Sequence, residues 1–185
     1  MKQIYADSIE KAKSYYSDFD DLAHNLSHSE RVAGNAIEIA RSLGYQDLKF
    51  IELCAYWHDT ARTQGLNPHE EPGAAMARED LLSRRAKETI GNKAYEAIRL
   101  HRVRDNPTTI EGKVIRDADK LDLISIERWQ KCIKAKQYEH LVPIVPLLKK
   151  FPGAFSFDYT KKLYAERFPK FWEYYESIKD QLPAA

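Results

Sequence analysis

The hydrophobic positions of this chain recur mostly at spacings of three and four residues, which is the period of amphipathic α-helices. Alternating runs flanked by Asn-Gly or Asp-Gly, the usual signature of β-hairpins, do not stand out in the sequence. The pattern therefore predicts an all-α protein. The unequal lengths of its segments indicate an irregular helical bundle rather than an up-down bundle.

Helices are predicted at 2–17, 28–43, 47–62, 70–84, 86–103, 109–137 and 157–180. Ser27 or Asn25 is suited to cap the second helix and Asp47 the third, while Gly44 suits the left-handed position after a helix end. Prolines predict a loop at 63–73, a broken connection at 140–153, and a bend in the last helix near Pro169.

Four of these helices carry ionisable side chains on their apolar stripes. The stripes are His28, Val32, Ala36 or Ile39, and Leu43; Ile51, Ala55, His58 and Arg62; Ile90, Ala94, Ala97 and His101; and Ile115, Asp119, Asp122 and Ile126. Asp59 borders the second stripe. A buried, unpaired carboxylate costs several kcal/mol, so these aspartates need cations, metal ions or hydrogen bonds.

Taken singly, a core histidine is more often hydrogen-bonded than metal-ligating, and a buried aspartate is often a cap or an ion-pair partner. Taken together, His28, His58, Asp59 and Asp119 favour one metal site built from three helices. Two imidazoles and two carboxylates suit Mn, Fe, Co, Ni or Zn, with Mg as a further option. The side chains of neighbouring residues point about 100° apart on a helix. His58 and Asp59 can therefore bind one ion that lies between their two directions, or they can bridge two ions.

This ordered set resembles the HD superfamily of metal-dependent phosphohydrolases. The matching segments are HSERVAGNAIEIA, LCAYWHDTAR and VIRDADKLDLISIERW, so the resemblance covers about residues 25–130. It is closest to the small stand-alone HD hydrolases. The resemblance implies an all-α HD fold with His28, His58, Asp59 and Asp119 as metal ligands.

The resemblance also implies hydrolysis of a phosphoester or phosphoanhydride, often in a nucleotide, by metal-activated water. Asp59 or Asp122 is expected to orient that water. The superfamily's ppGpp hydrolases carry a Glu-Asp pair soon after the His-Asp pair, and its nucleotidases a Glu about three residues after it. Ala61 and Arg62 stand there instead, so the subgroup is open. Glu70 or Glu71 is interpreted as starting a helix in preference to supplying that acid.

His69 and His101 lie between the His-Asp pair and Asp119, where some HD families hold a second metal or contact phosphate. The alternatives are a loop histidine bonded to backbone for His69, and a core histidine near a helix C-terminus for His101. One ion is expected in preference to two. A di-iron HD oxygenase is a rival function that would require both histidines as ligands. A non-catalytic nucleotide-binding module is another.

Arg31 and Lys120 are the leading candidates for phosphate binding because each is close in sequence to a predicted ligand. Arg62 and Arg104 are further candidates, since a guanidinium makes bidentate contacts with phosphate. The ordinary alternative for each is a solvated surface cation.

The C-terminal region, about 143–180, is rich in aromatic residues interleaved with lysines. Aromatics among basic residues can stack nucleobases. Packing of an aromatic helix face on the core, with lysines outside, is favoured here. The alternative is that this region forms part of a nucleobase pocket or of a homodimer interface.

The composition indicates the number of domains, the kind of partner and the cellular compartment. Apolar residues make up 43 % and charged residues 31 % of 185 residues, which predicts a single domain over 1–185. With 29 Lys and Arg against 28 Asp and Glu, no overall field favours nucleic acid or membrane, so the expected partner is a small phosphate or nucleotide. Two cysteines, Cys54 and Cys132, and the lack of a signal-peptide pattern or a long apolar run predict a cytoplasmic protein.

Overall fold

The computed structural model describes residues 1–183, so the last two residues of the predicted domain lie outside the described part. The described residues form nine α-helices joined by turns and short 3-10 segments, with no strand among them. The helices are α1 Lys2–Ser14, α2 Leu26–Ser42, α3 Leu48–Trp57, α4 Glu70–Ser83, α5 Glu88–Ile98, α6 Ile110–Asp122, α7 Ile126–Lys134, α8 Val145–Leu148 and α9 Asp158–Ile178. The all-α prediction is confirmed.

Helix α3 lies at the centre of the core. Phe50, Ile51 and residues 53–57 are all buried, so the helix is covered on nearly every side. Helices α1, α2 and α6 pack around it, and α4 and α5 form a pair beside it. The central position of α3 places its C-terminal end, where the His-Asp pair begins, deep inside the protein.

Capping residues set where the site-bearing helices begin. The Asn25 side chain accepts a hydrogen bond from the backbone N–H of His28, and the Asp47 side chain accepts one from Phe50. Asn25, not Ser27, is therefore the cap of α2, and His28 lies in the first turn. Gly44 follows the end of α2 with a φ of 68°, as the sequence predicts.

Several predicted helices are shorter than expected. The helix predicted at 2–17 ends at Ser14, and the helix predicted at 86–103 covers only Glu88–Ile98. The helix predicted at 47–62 ends at Trp57 and passes into a 3-10 turn at Thr60–Gln64. The helix predicted at 109–137 is divided at 123–125, because Ser125 caps a new helix by accepting from the backbone N–H of Arg128. The connection at 140–153 is broken into short helical turns as predicted, and α9 continues through Pro169.

The C-terminal helix is anchored to α6 by a buried carboxylate. Asp117 accepts hydrogen bonds from the backbone N–H groups of Ser156, at 2.9 and 3.0 Å, and Phe157, at 3.2 Å. Tyr164 and Phe171 on that helix are buried among the core residues. None of the described helices combines the length and apolar character that crossing a membrane requires.

Candidate metal centre

Six ionisable side chains meet where five segments of the chain come together. His28 comes from the first turn of α2, and the His58-Asp59 pair follows α3. The remaining three come from the residue before α4, the turn after α5, and α6. All six are buried: His28, His58, Asp59, His69, His101 and Asp119.

The first half of this centre contains His28, His58 and Asp119, with one oxygen of Asp59. The Nε2 atoms of His28 and His58 are 3.3 Å apart. His28 Nε2 lies 3.5 Å from Asp119 Oδ1, and His58 Nε2 lies 3.4 Å from Asp59 Oδ2. Ligand atoms bound at 2.0–2.2 Å to one ion lie roughly 3.0–3.5 Å from each other, so these separations suit a shared cation.

The second half uses the other oxygen of Asp59. Its Oδ1 lies 2.8 Å from His69 Nε2 and 3.6 Å from His101 Nε2. The two Nε2 atoms of His69 and His101 are 3.1 Å apart. Asp59 therefore presents one carboxylate oxygen to each half, which is the arrangement of a bridging ligand.

Hydrogen bonds on the far side of the rings fix which nitrogen faces the centre. His58 Nδ1 lies 2.6 Å from the carbonyl oxygen of Ala55, and His101 Nδ1 lies 2.7 Å from that of Ile98. A carbonyl oxygen only accepts, so each Nδ1 carries the hydrogen and a neutral ring turns a bare Nε2 lone pair inward. Converging lone pairs repel one another unless a cation lies between them, so the donor set fits a metal.

Neighbouring charges keep the carboxylates ionised, and burial keeps His58 neutral. Burial lowers the pKa of His58 to about 4. Burial alone would raise the pKa of Asp59, but His58 and Arg62 hold it well below its usual range. The pKa of Asp119 is likewise far below normal, because Lys120 and the histidines outweigh its burial. These are the protonation states that metal binding requires.

A cavity of about 200 Å³ opens over this centre. Leu123 is the one apolar residue among those that line it, and four cations line it as well: Arg62, Arg102, Lys120 and Arg128. His24 completes one side, with Nδ1 2.7 Å from Asp21 Oδ2 and a pKa that burial lowers to about 3. The cavity is thus a polar chamber whose four cations outnumber by one the three carboxylates that also line it, those of Asp59, Glu70 and Asp119.

Of the four predicted phosphate-binding cations, Arg62 and Lys120 line this cavity and two do not. Arg31 is bound to Asp122, with Nε 2.6 Å from Oδ1, and it lines a separate groove of about 300 Å³. Arg104 is exposed in the turn after α5 and does not line the cavity.

Asp122 is placed differently from the sequence expectation. It is buried behind His28, whose Nδ1 lies 2.7 Å from its Oδ2, and it also accepts from Arg31 and Arg128. It does not line the cavity over the centre. Because its oxygens are occupied by these donors, Asp122 is not placed to orient a water in the cavity, and it orients the His28 ring instead.

Glu70 begins α4, which confirms its interpretation as a helix-start residue. Glu70 also lines the cavity and pairs with Arg102. Its Oε1 lies 3.4 Å from His69 Nδ1. Arg102, Arg128 and His24 were not predicted from the sequence as cavity residues. Arg102 adjoins His101, and that adjacency was the one available signal for it.

Comparison with known proteins agrees with this geometry. The HD domain family model matches residues 25–124, more than half of the chain, and the protein belongs to that family. A similar solved structure is that of a predicted HD superfamily hydrolase from an uncultured Thermotogales bacterium, with 27 % identity and a TM-score of 0.72. The alignment covers 95 % of this chain and 91 % of that one. Among curated proteins no match is found.

Proposed function

We propose that this protein is a metal-dependent phosphohydrolase that cleaves a phosphoester or phosphoanhydride of a small phosphate by attack of water. The observation that carries the proposal is a polar cavity that is lined by four cations and by four of the six buried metal-type ligands, Asp59, His69, His101 and Asp119. Metal ligands alone fit many chemistries. Ligands beneath a cationic chamber favour a substrate with negatively charged oxygens.

The ligand geometry favours two ions rather than the one expected from the sequence. His28, His58 and Asp119 would hold the first, and His69 and His101 the second, with Asp59 shared between them. The support is the division of the Asp59 oxygens, since Oδ2 faces His58 at 3.4 Å while Oδ1 faces His69 at 2.8 Å. The Nδ1 of His69 makes no hydrogen bond in the described residues, so Nε2, which faces Asp59 and His101, is the ring's contact with the centre.

Divalent ions in these positions would polarise a phosphoryl oxygen and lower the pKa of the attacking water. The chain's own residues do the positioning. Asp122, the Ala55 carbonyl and the Ile98 carbonyl fix the ring orientations of three histidines from behind. Orienting the ligands in advance reduces the reorganisation that substrate binding would otherwise require.

Arg128 is the strongest candidate for the phosphate contact. Its side chain is 2 % exposed, its Nε has no hydrogen-bond partner in the described residues, and its contact with Asp122 is long, at 3.5 Å. A buried guanidinium with an unused donor lacks part of its usual stabilisation. An anionic substrate in the cavity would supply the missing partner. Arg62 and Lys120 face the same space but are already paired with Asp59 and Asp119.

Cavity size and lining bear on the substrate class. About 200 Å³ lined almost wholly by polar residues suits one phosphate group or a short phosphate chain. Among the residues that line it there is no Phe, Tyr or Trp to stack a nucleobase. A nucleotide substrate would therefore place its phosphates in the cavity and its nucleoside outside, with weak discrimination among bases.

The test pairs metal analysis with a substrate screen. Purified protein is loaded separately with Mn²⁺, Mg²⁺, Co²⁺ and Ni²⁺ and offered aryl phosphates, pyrophosphate and nucleoside mono- and triphosphates. Hydrolysis in the wild type and its loss in Asp59→Asn, with Asp158→Asn on the exposed surface as the matched control, is the expected result. Undiminished hydrolysis in Asp59→Asn would exclude this centre. Binding without turnover across the whole panel would favour the nucleotide-binding module.

A di-iron oxygenase is the second candidate, because the structure brings His69 and His101 together with the other four residues as that chemistry requires. The cationic cavity favours the phosphohydrolase over it. Oxygen consumption by anaerobically iron-loaded protein, mixed with O₂ and a panel of small organic phosphates, distinguishes the two. Substrate-dependent O₂ uptake would favour the oxygenase, and phosphate release without O₂ uptake the hydrolase.

A further inference from the structure

A second group of metal-type ligands lies beside the centre just described. Asp21 and His24 come from the connection between α1 and α2, and His140 comes from the segment that follows α7. Each offers one ligand atom, and the three atoms lie within 4.8 Å of one another. None of the three belongs to the six-ligand centre.

The separations in this group resemble those in the main centre. Asp21 Oδ2 lies 2.7 Å from His24 Nδ1 and 3.5 Å from His140 Nε2. The two imidazole rings meet edge to face with centroids 4.7 Å apart. The residue types are also the same as in each half of the main centre, two histidines and an aspartate. Such a set, with open positions for water, is typical of divalent transition-metal sites.

Separate contacts hold the two segments together, so the group does not depend on its own members to assemble. The Gln137 side chain donates to the carbonyl of Asp20 at 2.9 Å and accepts from the N–H of Leu22 at 2.8 Å. Asp21 Oδ1 accepts from the N–H of Ala23 at 2.9 Å, which leaves Oδ2 turned to the histidines. The ligand positions are thus fixed from the backbone side.

Solvent reaches one side of the group while the cavity lies on the other. The side chains of Asp21 and His140 are 20 % and 38 % exposed, whereas that of His24 is 11 % exposed. His24 also lines the cavity over the main centre, and its ring centroid is 5.8 Å from that of His28. An ion held here would have an entry path from solvent and would sit at the rim of the cavity.

We infer that Asp21, His24 and His140 form a rim site for a further divalent transition-metal ion. The inference goes beyond the proposed hydrolysis and does not depend on it, because the ligands are separate and the ion can be detected without turnover. A bound ion would tie the α1–α2 connection to the segment after α7 and would fix the His24 ring against the cavity.

Crystals of the full chain equilibrated with Co²⁺ alone test the rim site directly. An anomalous difference peak about 2.0–2.2 Å from Asp21, His24 and His140 is the expected result. Absence of that peak at saturating Co²⁺ would overturn the inference. Asp59→Asn should keep the rim peak while weakening those in the main centre, so failure of the main centre is distinguishable from failure of the rim site.

Metal counting in solution gives a second readout. His140→Ala, desalted after Co²⁺ loading, should contain one ion fewer per chain than both the wild type and Glu139→Ala, the neighbouring exposed control. His140 is partly exposed, so the fold should survive, and circular dichroism checks this. Equal cobalt content in His140→Ala and Glu139→Ala would contradict the rim site and leave Asp21 as a residue that merely orients His24.

Discussion

Asp122 and His28, 94 positions apart in the sequence, are joined by a 2.7 Å hydrogen bond from His28 Nδ1 to Asp122 Oδ2. The carboxylate lies behind the ring, and the opposite nitrogen faces the metal centre. Burial would lower the pKa of His28, but Asp122 and Asp59 raise it overall. Asp122 thus orients the ring and increases its basicity, which would strengthen His28 as a metal ligand.

Replacing Asp122 by Asn should therefore weaken metal binding without removing a ligand. The side chain keeps its size but loses the charge that polarises His28. Loss of such a supporting group typically costs 10–100-fold in metal affinity, and a loss in this range is expected by competition titration with a chelating dye. Asp80→Asn, which alters a pair with Arg84 elsewhere on the protein, is the control. Unchanged affinity in Asp122→Asn would contradict the supporting role.

Replacing Arg128 by Met should impair substrate binding more than metal binding. A hydrogen bond from a charged group contributes about 1.5–3 kcal/mol, so KM should rise by roughly tenfold to a hundredfold. Arg104→Ala, an exposed arginine outside the cavity, should leave KM unchanged. Steady-state kinetics with any substrate found in the screen measures both. Equal KM values in the two variants would show that Arg128 does not contact phosphate.

Replacing Asp117 by Ala should destabilise the fold while leaving the metal centre intact. The change removes the acceptor for the backbone N–H groups of Ser156 and Phe157 at the start of α9. Leaving buried donors unpaired costs about 1–3 kcal/mol, and since these two donors are partly buried, a decrease of about 1 kcal/mol in the free energy of unfolding is expected from urea titration. Asp158→Ala, on the exposed surface, should change it little. Equal stability of the two variants would show that this anchor is dispensable.

Two glycine substitutions should have opposite effects on stability. A Cβ on Gly73 would lie 3.3 Å from the carbonyl oxygen of His58 and 3.4 Å from that of Trp57, both backbone atoms. Gly73→Ala should therefore press α4 away from the end of α3, lowering stability and metal affinity together. Gly34→Ala meets nothing within 4 Å and should stabilise α2 by about 0.5–1 kcal/mol. Thermal unfolding with and without metal measures both, and a stabilised Gly73→Ala would contradict the close packing.

The sequence predicted most of the helices because their signals are local. Asn25, Asp47 and Gly44 act on the backbone within a few residues of themselves, so their effects do not depend on the rest of the fold. The ligand candidates were likewise visible, since a histidine or aspartate on an apolar stripe is conspicuous in one helix at a time.

Arg128 could not be placed from the sequence because its position depends on a break in the chain. Arg128 is nine positions after Asp119, so in one continuous helix the two side chains would lie on opposite faces. The turn at 123–125 and the Ser125 cap redirect the chain, and Arg128 then lines the same cavity as Asp119. The surroundings of Asp122 could not be predicted from the sequence either. Helical periodicity placed Asp122 on the same stripe as Asp119, but it could not show that His28, Arg31 and Arg128 surround its carboxylate.

The central claim is a pair of ions bridged by Asp59, and electron paramagnetic resonance of Mn²⁺-loaded protein tests it most directly. The spectrum is recorded in the His140→Ala background, so that an ion at the rim does not contribute. A spin-coupled signal is predicted, because two ions that share one carboxylate are close enough to interact, and further substitution of His101 by Ala should convert it to the hyperfine pattern of isolated Mn²⁺. An isolated-ion pattern in the fully loaded protein with all six ligands intact would contradict the bridged centre.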